Sequence, residues 1–154
     1  MKKLLLALLI VFTSIACDRA AHTASANRSE QTEVRVQARA ASANPNASIE
    51  AAYENRASNI DVEGQGIVVK LLADDNHGSR HQKFLVKIAS GKTLLFAHNI
   101  DLAPHIEDIK IGDEVAFRGE YVFNPKGGVI HWTHHDPRGE HVAGWITHNG
   151  QKYE

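Results

Sequence analysis

Nine of the ten histidines in this 154-residue chain follow residue 76. Three of them fall in one stretch, Gly127-Gly128-Val129-Ile130-His131-Trp132-Thr133-His134-His135-Asp136-Pro137-Arg138-Gly139. Neutral imidazoles and carboxylates are ligands for zinc and related ions, and imidazole is the side chain that titrates nearest physiological pH. Spacing limits what this stretch can do alone. Val129 to about His135 reads as a strand, so Ile130, Trp132 and His134 should share one face and His131, Thr133 and His135 the other. Two ligands on one strand usually sit two residues apart, about 6–7 Å, whereas His131 and His135 would lie about 13 Å apart. A divalent metal ion would therefore have to be assembled from separate elements: His134 or His135 with His98, His141 or Asp136. The competing role is structural, with the histidines bonding turns and lining a polar barrel rim.

Other candidates lie upstream. Arg80-His81 follows the acidic pair Asp74-Asp75 in a polar loop, which is either a solvated connection or a ligand-contacting one. His98 shares an apolar face with Leu94 and Phe96, which suits a core or rim histidine. Trp132 and Trp145 suit either a core or a stacking platform for a ring or base. No Ser-His-Asp arrangement can be assigned from spacing, and Cys17, the single cysteine, excludes an internal disulfide and a cysteine-rich zinc site. The expectation is a binding site for a small ligand or an envelope protein, formed by Arg80, His81, His98, Asp101, Trp132, His134 and His135.

Elements must position these groups. Ala47-Ser48-Ile49 onward has apolar residues at 3–4 spacing, predicting a short helix over about 47–58. From Val62 the pattern changes to β-branched runs, with Gly64 and Gly66 marking a bend or bulge in a long first strand. Gln82, Phe84, Val86 and Ile88 alternate with polar residues, Ser90-Gly91 marks a hairpin turn, and Leu94 to Ile100 alternates again. Asp101 to Ile109 reads as one or two turns of helix with Pro104 near its start. Val115 to Phe123 is a long strand. Asn124-Pro125-Lys126-Gly127 has the residues of a type I turn. Asn149-Gly150 should close a C-terminal hairpin. Strand, strand, strand, short helix, strand, strand is the order of an OB-like five-stranded Greek-key barrel. The expected fold is thus mainly β, with a short helix between strands three and four, an N-terminal helix and a C-terminal hairpin.

The first segment reads as an export signal. Lys2 and Lys3 precede an apolar run from Leu4 to Ile15, too short to span a bilayer comfortably. Ser14-Ile15-Ala16-Cys17 resembles a bacterial lipobox, with Ser14 departing from the usual aliphatic residue; the resemblance implies lipidation of Cys17. Cleavage without lipidation would instead give a soluble periplasmic or secreted protein. Expected organisation is a signal peptide over 1–17, a polar tether over 18–45 and the barrel over 46–154. The membrane would be engaged only through the lipid anchor. A net charge of −1 offers no global field for nucleic acid, and the strand lysines are scattered, not striped.

Two resemblances enter on motifs. Gly78-Ser79-Arg80-His81-Gln82, His98-Asn99-Ile100-Asp101-Leu102-Ala103-Pro104 and the His131–Pro137 run resemble an uncharacterised bacterial family of small exported proteins, over roughly residues 60 to 154. That family implies no activity. More loosely, Ile67-Val68-Val69 with Asp74-Asp75 and Asn99–Pro104 is similar to the thermonuclease-like OB family. This second resemblance implies a metal-dependent phosphodiesterase or nuclease, with Asp74, Asp75 and Asp101 as ligands of a divalent metal ion. It departs at His105, where the pattern has Glu after the proline.

Overall fold

The computed structural model describes Asn44–Glu154. The signal peptide expected at 1–17, with Cys17, and the tether before residue 44 lie outside those residues. The described part holds one helix, α1 (Ala47–Glu54), and seven strands: β1 (Ile60–Leu71), β2 (His81–Lys87), β3 (Thr93–Asn99), β4 (Glu114–Val122), β5 (Val129–His131), β6 (Trp145–His148) and β7 (Gln151–Tyr153).

β1 closes the barrel because its twelve residues serve two neighbours. Its N-terminal half pairs with β4, from Ile60 opposite Tyr121 to Ile67 opposite Glu114. Its C-terminal half pairs with β2, with a register shift between Val68 and Lys70. Hydrogen bonding then runs β1-β2-β3-β5-β4 and back to β1, with β3 and β5 parallel. The result is the closed five-stranded barrel expected, with β6 and β7 added as a hairpin on β4. Closure leaves only short stretches of edge unpaired in the five-stranded ring, such as β3 beyond Phe96.

Alternation fills the interior. Phe84, Val86, Leu94, Phe96, Val115, Phe117, Tyr121 and Ile130 are all fully buried. Phe96 stacks on Phe84 at 5.0 Å and meets Phe117 edge-on at 4.7 Å, geometries that aromatic quadrupoles favour. α1 covers one end of the barrel with Ile49 and Ala52. It can do so because Gly64 carries no side chain: a Cβ there would collide with Asn46, Ile49 and Phe117. Asn149 and Gly150 both have positive φ, 49° and 78°, as a two-residue type I′ hairpin requires.

Two expectations fail. Asp101 to Ile109 is not helical but a series of turns. Side chains satisfy its backbone in place of a helical ladder: Ile106 donates its N–H to Gln82 Oε1 at 2.9 Å and accepts from Gln82 Nε2 at 3.0 Å. α1 also ends earlier than expected, at Glu54, where Arg56 turns to φ 51°.

Candidate binding pocket

The fifth strand stops at His131, four residues short of its expected end. Trp132 adopts φ 52°, a left-handed conformation that a bulky residue rarely takes. This single residue resets the alternation. Thr133 and His134 are both buried while Trp132 is 37% exposed, so His134 does not share a face with Trp132 as strand periodicity predicts. Two glycines make room for the turn. A Cβ at Gly119 would strike the His131 carbonyl and Thr133, and one at Gly144 would strike the Trp132 carbonyl. Gly144 also donates its N–H to the His134 carbonyl at 2.8 Å, which closes the 132–144 connection into a loop.

Under that loop lies His98, fully buried. Its Nε2 faces the Pro104 carbonyl at 3.1 Å. A carbonyl only accepts, so Nε2 carries the proton. Nδ1 of the neutral ring is then an acceptor, and the Thr133 hydroxyl donates to it at 2.8 Å. Burial pushes the imidazole down to about 4, against the opposing pull of the Pro104 bond, so it is neutral near pH 7. His98 thus ties β3, the 100–109 connection and the 132–144 loop together without carrying charge.

A pocket of about 590 Å³ opens beside this brace. His81 and Asn99 line it from β2 and β3, Trp132 and His134 from the loop, with Asp136 and His141 beyond. His141 stacks on the Trp132 indole at 4.5 Å, and His131 leans on it at 5.2 Å. His134 meets His141 edge to face at 4.9 Å. The loop is held by its own turn: Asp136 accepts the N–H groups of Arg138 at 3.0 Å and His141 at 2.7 Å. Those backbone bonds, His141 first, hold the Asp136 carboxyl below its usual range. Burial pushes His134 down, countered by its bond to the His135 carbonyl.

Of the seven residues expected to bind a ligand, His81, Trp132 and His134 line this pocket. His98 lies sealed beneath it. His135 is exposed and contributes its carbonyl to His134 at 2.7 Å. Arg80 and Asp101 bind each other: Asp101 accepts from the Arg80 N–H at 2.8 Å and from Nε at 2.6 Å, which lowers its carboxyl. The other two acidic residues are held apart in pairs. Asp74 meets His105 at 3.3 Å and Asp75 meets Lys83 at 3.7 Å. Among the described residues no three His, Cys, Asp or Glu side chains come together to hold a metal ion. Trp145 lies outside the pocket, on β6 beneath Lys152. Thr133 is the residue that sequence reasoning missed: alternation placed it away from His134, and no local signal announces the left-handed turn before it.

The family model described as "Protein of unknown function (DUF3465)" matches residues 34–154. No curated protein matches the chain. The chain belongs to that family of unknown function, whose match begins ten residues before the described part and takes in all of the barrel.

Proposed function

We propose that this member of the family is a non-catalytic binding module, and that a small ligand occupies the pocket against Trp132. One observation carries the reading: a large indole is kept partly exposed, at a backbone angle that costs energy, on the wall of a pocket of about 590 Å³. Left-handed geometry at such a residue costs about 1–2 kcal/mol, and strain of this kind gathers at ligand sites. The volume is within the range of small-molecule sites. Oligomer-binding OB barrels also use the strand 2–3 face, a likeness at the level of fold alone. Reading residues 1–17 as an export signal favours a role in the cell envelope, as a lipoprotein through Cys17 or as a soluble periplasmic or secreted protein.

An NMR fragment screen on the purified protein tests this. Hits should shift amides of 131–144 and 79–81, and Trp132→Ala should abolish them while the amide spectrum stays dispersed. Hits gathered elsewhere would overturn the reading.

A second reading, metal-dependent phosphodiester cleavage, draws on the placement of Asp75 and Asp101 on either side of the Arg80-His81 segment. It predicts turnover of a phosphodiester with calcium, magnesium or zinc that Asp101→Ala removes. Activity that survives this substitution would sink it.

A further inference from the structure

The partners of the pocket histidines determine which ring nitrogens can accept. His134 Nδ1 faces the His135 carbonyl at 2.7 Å, and His141 Nδ1 faces the Val142 carbonyl at 2.8 Å. His131 Nε2 faces Glu120 Oε1 at 3.0 Å. Carbonyls and carboxylates only accept, so each of these nitrogens carries the proton. In the neutral rings of His134 and His141 the remaining nitrogen is a hydrogen-bond acceptor, whereas His131 is committed to the Glu120 carboxylate. Neither of those two nitrogens is a buried atom left without a partner among the described residues.

Charge in the pocket leans the same way. Asp136 is half-buried and fixed by two backbone N–H groups, and a carboxylate so bound still has acceptor capacity left. Arg138 is the cationic side chain in the lining. It extends into solvent, 75% exposed, and meets Glu140 at 3.3 Å. That pair leaves Asp136 without an ion-pair partner among the described residues. The nearby Arg80 is committed to Asp101. An exposed indole next to such acceptors attracts a cation through the negative face of its ring.

We propose that this pocket takes an organic primary ammonium group, with Trp132 beneath it, Asp136 as counter-ion and the imidazoles of His134 and His141 as acceptors. The proposal rests on the binding reading above and names the ligand chemistry. An anion would meet Asp136 and two acceptor nitrogens; a neutral ring would gain the indole but leave the carboxylate unpaired.

Three probes with the same ring test it: benzylammonium, benzyl alcohol and benzoate. The readout is the indole N–H resonance of Trp132 in the purified protein, with that of Trp145 as internal reference. Benzylammonium should shift Trp132 at roughly tenfold lower concentration than benzyl alcohol, and benzoate should be weakest. Arg138→Gln, at an exposed position, should strengthen benzylammonium binding; Asp136→Asn should reduce it to the level of the alcohol. Equal or stronger binding of benzoate would overturn the ammonium assignment while leaving the pocket reading intact. If no probe moves Trp132 at tens of millimolar, both fail.

Discussion

His98 and His148 are both sealed from solvent, 0% and 2% exposed, yet they are held by opposite kinds of partner. His98 sits between a carbonyl and a hydroxyl, against the loop that crosses β4 at Gly119. His148 lies further along β4, opposite Val115, with Nε2 2.7 Å from the Asp113 carboxylate. Neither partner of His98 can balance a positive charge, whereas Asp113 can. In return, the bond from His148 is the main reason the Asp113 carboxyl lies below its usual range. One residue type therefore serves as a neutral brace under the pocket and as a hydrogen-bond donor to a carboxylate where the closing hairpin joins the barrel. Histidine number alone says little about metals or pH; the partner decides.

The sharpest way to break the contrast is His98→Ala. It opens a cavity and leaves the buried Thr133 hydroxyl without its acceptor. A loss of about 3–4 kcal/mol in urea unfolding is expected. His148→Gln should cost less at neutral pH, because its amide can still donate to Asp113. Equal losses would mean that the two sites are braced alike.

Acid separates them next. The His98 imidazole has a folded value of about 4 against an ordinary 6.5, so the unfolded chain takes up the proton first. Its contribution is complete above pH 6.5 and is lost as pH falls from there toward 4, by roughly 3 kcal/mol. Asp113 is shifted down from 3.8, so its contribution is present above that value and disappears only below it. Unfolding measured between pH 7 and 3 should show two windows. In His98→Leu the upper window should shrink to the part that His134, also lowered by burial, contributes, though the protein begins less stable. A slope undiminished between pH 6.5 and 4 in that variant would assign the effect to another group.

Much of the scaffold was legible beforehand. Alternation in Gln82–Ile88 and Leu94–Ile100, the Asn-Gly hairpin and the Asn124–Gly127 turn are local signals, and the barrel follows from their order. The segment Asp101–Ile109 looks helical in sequence because nothing local shows that Gln82, 24 positions before Ile106, bonds its backbone in place of a helical turn. His98 was placed rightly on an apolar face, but its tautomer depends on Pro104 and Thr133, which only folding brings together. The pocket was half visible: His81, Trp132 and His134 were chosen by residue type. Its shape was hidden by one dihedral angle at Trp132, permitted by Gly119 and Gly144, and neither glycine carries a local signal of that turn.

That angle gives the smallest expected effect on stability and the clearest separation of brace from pocket. Trp132→Gly relieves a left-handed conformation worth about 1–2 kcal/mol, since glycine takes positive φ freely. It also removes the stacking with His141 and His131, worth about 0.5–1.5 kcal/mol for aromatic pairs. Loss of the buried part of the indole costs about 2 kcal/mol more, so relief of the turn offsets only part of the loss; unfolding free energy should fall by about 1–3 kcal/mol, less than in His98→Ala, while benzylammonium binding disappears. His98→Leu should do the reverse, lowering stability first and affecting the pocket only through it. If Trp132→Gly proved as destabilising as His98→Ala, the indole would be part of the barrel's support, and its exposure would no longer argue for a ligand.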